Sequence, residues 1–296
     1  MGRRGGVRTA VGLSLATVVG VLAATSASAA TTTIQATGAT ITRTDATAGT
    51  TLTVKATVAR LDLWCSANKL VVNKKATTIP CNRLLSVTTT GAFSSRGTLV
   101  ASQGLTLRGQ QLTLDSAALS AQGIALTATA AAAGNAPSIS AQGAQLHASG
   151  TLALATPGHI DLSASTASAA DWQVQANTLA SHGGWLQQTG SGDWTLNLSQ
   201  LDLSAQAGVG LADRVGQGGM LLASAHQFTV NAQRLLLNGA QVMHRGSGAL
   251  RLDGQAALDI GNATVGSNGH LWLTSAAPLS AANSQVEAQA LDVQAA

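Results

Sequence analysis

The chain has 296 residues, of which 9% are charged and 2% aromatic, with 32 Gly, 4 Pro and no Tyr. A hydrophobic fraction of 45% without charge runs excludes a disordered chain. A charge content far below the ~25% of ordinary domains points away from a typical enzyme and towards a fold that satisfies its backbone in long, regular ladders.

The first thirty residues, MGRRGGVRTAVGLSLATVVGVLAATSASAA, read as a secretory signal peptide over residues 1–29. Arg3, Arg4 and Arg8 precede an apolar run, and Ala27-Ser28-Ala29 supplies a small-residue cleavage site. The apolar run is too short to span a bilayer. Loss of Arg3, Arg4 and Arg8 takes the formal charge from +4 to +1. The expected product is exported, to the surface or medium or alternatively the periplasm, and does not span the membrane.

Residues 30–94 are Thr- and Lys-rich and alternate at Thr51–Val58 and Leu84–Thr89, which predicts a β cap or small β domain. This segment concentrates positive charge. Residues 30–100 hold eight basic side chains against Asp45 and Asp62, whereas residues 101–296 hold five against ten acids, so the two parts carry about +6 and −5. Lys69, Lys74, Lys75 and Arg83 form a candidate patch for an anionic ligand, with a plain solvated face as the competing reading. No aromatics interleave it, so specific nucleic-acid recognition is not expected. Cys65 and Cys81 are the only cysteines, and in an exported chain they are expected to pair as a disulfide.

Residues 95–296 carry an internal echo. VASQGLTL, LSAQGIAL and ISAQGAQL place Gly104, Gly123 and Gly143 at spacings of 19 and 20. Short alternating runs recur between them, including Leu112/Leu114, Leu152/Leu154, Leu250/Leu252 and Leu271/Leu273. A period near twenty built of short strands and small-residue turns predicts a β-solenoid; a β-sandwich of short strands is the alternative. The Ala-rich stretch 127–137 reads as an inserted loop. The chain stops at LDVQAA in strand-like alternation, which suggests an unusual end or a piece of a longer exoprotein.

LASHGGWLQQTGSGDWTLNLSQLDLSAQ and GSGALRLDGQAALDIGNATVGSNGHLWLTSA resemble the repeat region of filamentous haemagglutinin-type bacterial adhesins. The resemblance covers roughly residues 95–296. It implies an all-β, right-handed parallel β-helix with coils of about twenty residues, on a secreted or surface fibre that mediates attachment or cell contact. The partners it implies are a surface glycan or protein and an outer-membrane transporter. Residues 30–100 show no counterpart of that family's secretion domain, and no Asn in the chain precedes a Pro.

Catalytic signals are thin. His182-Gly183-Gly184-Trp185 is superficially like an esterase oxyanion loop, but no G-x-S-x-G elbow accompanies it. His159 and Asp161 alternate onto one side of a predicted strand without a nucleophile. Gly208–Gly219 lacks the phosphate-loop Lys. The six His show no metal-ligand spacing. β-Helix polysaccharide lyases and pectinases share the scaffold but need clustered acids or a Lys/Arg base in a surface groove; the close acid pairs here, such as Asp253 and Asp259, span several residues. No enzymatic activity, cofactor or metal is therefore expected. Trp185, Trp194 and Trp272, beside glycines or turns, are candidates for stacking on sugar rings. A periplasmic lipid- or lipopolysaccharide-binding β protein remains the second functional reading.

Overall fold

Short runs that alternate apolar and small polar residues have one apolar edge each. A ladder buries that edge if the next run repeats the pattern one coil later. The computed structural model describes residues 30–296 apart from 37, 47–48, 57, 59, 67–68, 81–83 and 135, and gives only the backbone of a few strand residues, Cys65 among them. Its elements are all strands. They wind into a β-solenoid of about ten turns, with coils of about 21 residues. No pair of face-packed antiparallel sheets, as a sandwich requires, is present among the described residues.

Each regular coil has three faces. The first runs through 104–109, 123–128, 151–155, 171–175, 194–198, 228–232, 249–254, 270–275 and 290–295. The second is short, through 112–113, 139–140, 159–161, 178–180, 200–202, 234–236, 257–259 and 279–280. The third runs through 98–100, 118–121, 145–148, 166–169, 185–188, 220–223, 241–244, 264–267 and 285–287. On the first face the ladder pairs Leu105 with Leu85, Ile124 with Leu105, Leu152 with Ile124 and Trp172 with Leu152, steps of 20, 19, 28 and 20 residues. Phe228 then stacks on Trp194 after 34, and Leu250, Leu271 and Leu291 follow after 22, 21 and 20. The two long steps are two insertions, 129–138 and 204–219. The first matches the Ala-rich loop expected from the sequence.

Alternation turns one side of every strand inward, and stacked coils join those sides into one continuous core. Leu, Val, Ile and Ala fill most of it. Three aromatics form a column inside it: Trp172 and Trp194 stack at 5.4 Å between ring centroids, and Trp194 and Phe228 at 4.7 Å. Trp194 is therefore not a surface ring for sugars, as the sequence had suggested; it is 2% exposed.

One turn recurs between the second and third faces. Ala144 N–H donates to Ala141 O, Ser165 to Leu162, Ala240 to Leu237, Ala263 to Ile260 and Ser284 to Ala281. The third residue of each has positive φ: Gly143, Ala164, Gly239, Asn262 and Asn283. A turn closed in this way needs the left-handed region at that position, where Gly and Asn are cheapest. Asn262 and Asn283 are also linked to the neighbouring coil by amide hydrogen bonds, Asn262 to Asn238 at 3.3 Å and Asn283 to Asn262 at 3.4 Å.

The N-terminal segment departs from the repeat. Strands β1 (Ala30–Ala36), β2 (Ala39–Ala46) and β3 (Gly49–Ala56) form an antiparallel meander. β3 then accepts the parallel ladder, with Val54 opposite Val87, so parallel stacking begins well before residue 95. β4 (Arg60–Ser66), β5 (Lys69–Val72) and β6 (Lys75–Pro80) form a second antiparallel run attached to the first coils. The expected Cys65–Cys81 bond and Arg83 fall outside the described residues, as does the segment 1–29. At the other end, strand 290–295 has a neighbour on one side only, and Leu291 and Val293 are each 49% exposed. No helix among the described residues is long and apolar enough to cross a membrane.

Candidate functional site: a polar groove beside the two insertions

A solenoid satisfies its backbone coil by coil, so its outer columns are free to vary. Register brings residues far apart in sequence into one column. On the second face His159, Thr178, Gln200 and Arg234 stand in line, and Asp161, Ala180 and Asp202 form the column beside them. At about 4.8 Å per rung, His159 and Arg234 are some 14 Å apart along the axis. These columns, with Asp161 just outside the lining, floor a groove of about 600 Å³, whose lining also includes Asn177, His182, Pro157 and Gly158, with Ala131, Ala132, Gly134 and Ala136 of the first insertion as a wall.

The wall is anchored. Ala132 N–H donates to Ser138 Oγ at 3.0 Å, and the loop lies against Gly158, where a Cβ would come within 3.3 Å of Ala131 Cα. The second insertion docks on Gly183, next to the lining residue His182. Leu211 N–H donates to Gly183 O at 3.1 Å, and a Cβ on Gly183 would stand 2.3 Å from Gly210 Cα. That contact explains Gly183; at Gly184 a Cβ would stand 2.7 Å from Leu162 O of the neighbouring coil. Arg214 holds the insertion together from inside: it is 7% exposed and donates through Nη2 to Gly218 O at 2.7 Å. Burial lowers its pKa, and Asp213 works against that shift.

The polar groups of the groove divide into committed and uncommitted. Asp161 Oδ1 accepts from Ser163 N–H at 2.9 Å, and Asp202 Oδ1 accepts from Ser204 N–H at 3.1 Å and its hydroxyl at 2.6 Å. The same bond from Gly261 to Asp259 occurs outside the groove. These carboxylates cap the turn, and that is a structural task. His182 is 8% exposed, and its Nδ1–H donates to Ser204 O at 2.8 Å, which leaves Nε2 as an acceptor. Asp202 lies 3.8 Å from the same Nδ1. His159 has no such commitment. Its Nε2 is buried without a partner. Burial lowers the His159 pKa; Asp161 and Asp202 oppose this and His182 reinforces it, so the ring favours its neutral form. Arg234 is exposed, with no carboxylate in ion-pair range among the described residues. The site can thus offer a guanidinium, two imidazoles and the amides of Asn177 and Gln200.

The other candidates are scattered. Trp185 stands on the third face, three residues past His182, and is 36% exposed. Trp272 is on the first face near the C-terminal end. Its ring is stacked on His270 at 3.6 Å and lies under the Arg251 guanidinium at 4.0 Å; His270 in turn meets Asp292 at 2.5 Å. The surfaces a sugar would use on Trp272 are taken. Lys69, Lys74 and Lys75 lie on the antiparallel run at the opposite end. Sequence reading had singled out His159, Asp161 and His182 as isolated signals, and it missed Asn177, Gln200, Asp202 and Arg234. Only the register unites them. No cluster of three or more His, Cys, Asp or Glu side chains able to hold a metal occurs among the described residues. Compared with protein-family models, curated protein sequences and solved structures, the chain matches none.

Proposed function

We propose that the chain is an exported, adhesin-like rod that binds surface glycans through the second-face groove and does no chemistry on them. One observation carries this reading: of the two departures from the regular coil length, 129–138 walls the polar groove, and 204–219 is fastened to His182 of its lining and to the adjacent Gly183. A repeat that needs neither insertion to stack retains them where they shape a surface, and inserted loops on a rigid scaffold are the usual carriers of recognition. The groove's chemistry agrees. Amides, imidazoles and one unpaired guanidinium suit a hydroxyl-rich chain laid along the rungs. Asp161 and Asp202 are engaged by turn N–H groups, which favours binding over acid–base catalysis. The resemblance to haemagglutinin-type repeats supports export and attachment in the same direction.

The test is a glycan array probed with the purified full chain and with Arg234→Ala. The proposal expects selective retention of a subset of glycans and its loss in the variant. Retention of none, or equal retention by the variant, would overturn it. Release of shortened sugars from any bound glycan would overturn the non-enzymatic part.

A further inference from the structure

The basic N-terminal segment contains a second site, built differently from the groove. Alternation along β4 puts Leu61 and Leu63 into the core, each fully buried, and Arg60, Asp62 and Trp64 on the opposite side. The parallel partner of β4 brings Ser94 opposite Asp62, and the chain continues through Ser95, Arg96 and Gly97. The hairpin β5–β6 turns over this side through Asn73 and Lys74, both at positive φ (45° and 67°), between the paired Val72 and Lys75. Two left-handed residues in a two-residue loop are the mark of the tight hairpin turn that fits strand twist. Asn73 suits that conformation; Lys74 is strained in it. Asn73 fastens the turn to β4, accepting from Asp62 N–H at 2.9 Å through Oδ1 and donating its own N–H to Asp62 O at 2.8 Å.

The result is a cleft of about 420 Å³ lined by Arg60, Asp62, Trp64, Lys74, Ser94, Ser95, Arg96 and Gly97. It holds three cations and one carboxylate. Asp62 is engaged with Arg60 at 3.4 Å, and Arg60 also donates to Ser94 Oγ at 3.2 Å. Lys74 and Arg96 have no carboxylate within ion-pair distance among the described residues. Ser95 is 1% exposed, and its Oγ has no hydrogen-bond partner, which is costly unless something else supplies one. Gly97 permits the indole of Trp64 to lie against the backbone, since a Cβ there would stand 2.6 Å from Trp64 Cβ.

We infer that this cleft binds a carboxylate-bearing sugar, a uronate unit of an acidic polysaccharide. The uncompensated cations Lys74 and Arg96 meet the carboxylate, Arg96 with the two-pronged geometry that carboxylates favour. Trp64 offers a half-buried ring for the apolar face of the sugar, and the serine hydroxyls of the wall serve its ring substituents. A bare anion uses the cations and leaves the indole idle. A neutral sugar uses the indole and leaves the cations unpaired. The site is separate from the second-face groove and stands whether or not that groove binds glycans.

The experiment is calorimetric titration of the purified full chain with a galacturonate tetramer, with a neutral galactose tetramer and sodium sulfate as comparators. Uronate should bind, and each comparator should bind at least about tenfold more weakly, the scale of one charge-assisted hydrogen bond. Arg96→Gln and Lys74→Gln should each weaken uronate by about tenfold, Trp64→Leu should weaken it as well, and Arg234→Ala should leave it unchanged. No heat with uronate, equal affinity for sulfate or the neutral tetramer, or full affinity in the Lys74→Gln/Arg96→Gln double variant would overturn the inference. If a variant loses its β-type circular dichroism, the parent still decides. Titration should shift the indole N–H of Trp64 and the Nε–H of Arg60 or Arg96; shifts confined to other residues would overturn the site.

Discussion

The N-terminal run of antiparallel strands and the parallel coils behind it share one ladder but use their side chains differently. In the coils the inner positions repeat and the outer ones are mostly small, so a residue's neighbours lie in other coils. In β4–β6 hairpin contacts add to the rung that β4 makes with the first coils, and the outer positions carry Arg60, Trp64, Lys69, Lys74 and Lys75. Within the coils a second contrast appears. From Phe228 onward the steps stay at 20–22 residues, and the outer face carries mainly ladder contacts. Between Ile124 and Phe228, where two steps lengthen to 28 and 34, a groove forms. Regular coils spend their sequence on stacking; irregular ones free part of it for recognition.

The largest expected effect breaks the inner column. Trp194→Ala removes the middle ring of Trp172–Trp194–Phe228 and should cost about 3–5 kcal/mol, read as a drop in the chemical-denaturation midpoint. Position along the rod sharpens the comparison. Leu271 is fully buried while Leu291, on the next rung, is 49% exposed. Leu271→Ala should cost about 2–5 kcal/mol and Leu291→Ala about 1 kcal/mol or less. Equal losses would mean that the last rung is covered in solution.

A smaller effect has the opposite sign. Ala164 holds φ of 53° at the turn position occupied elsewhere by Gly, Asn or, at Ser116, serine. Ala164→Gly should stabilise by up to about 1 kcal/mol, the strain relieved less the entropy that Gly adds to the unfolded chain.

The smallest effect is on pH. His244 is 1% exposed, donates from Nε2 to Ala225 O at 2.8 Å and lies 3.2 Å from Ser267 Oγ through Nδ1. Burial lowers its pKa, the Ala225 bond opposes, and His226 adds to the lowering; His159 is lowered too. As pH falls below about 6.5 the unfolded histidines bind protons before the folded ones do. The unfolded state then holds more protons, so stability falls with falling pH. The melting temperature should decline from pH 7.5 to 5.5, and the decline should be shallower in His244→Gln.

The solenoid was legible in the sequence, though partly for the wrong reason. VASQG and LSAQG both cross from the third face to the first, and Gly104 stacks on Gly123. ISAQG, which seemed the third member, crosses from the second face to the third: Ile139 stacks on Leu112, and Gly143 is the positive-φ turn residue. The 28-residue step shifted the echo by one face while keeping its spacing near twenty. The column of Trp172, Trp194 and Phe228 was hidden as well, because the 34-residue step from Trp194 to Phe228 lies far from a period near twenty. The groove was hidden for that reason too. His159 and Asp161 are visible as neighbours, but Asp202 and Arg234 join them only through pairing across unequal coils. Lys74 was legible as part of a basic run. Its companions Arg60 and Arg96 were not, since a hairpin and a parallel rung bring them together.

The most direct test of the central claim is excision of residues 130–137. It would bring the step from Ile124 to Leu152 from 28 to 20 residues, the length of its neighbours, and remove the wall of the groove without touching the core. Calorimetric titration of the excised and parent chains with the glycan that the parent selects gives the answer. The account expects an intact β-type spectrum, a melting temperature within a few degrees of the parent, and lost binding. An excised chain that stays folded and binds as tightly as the parent would contradict it.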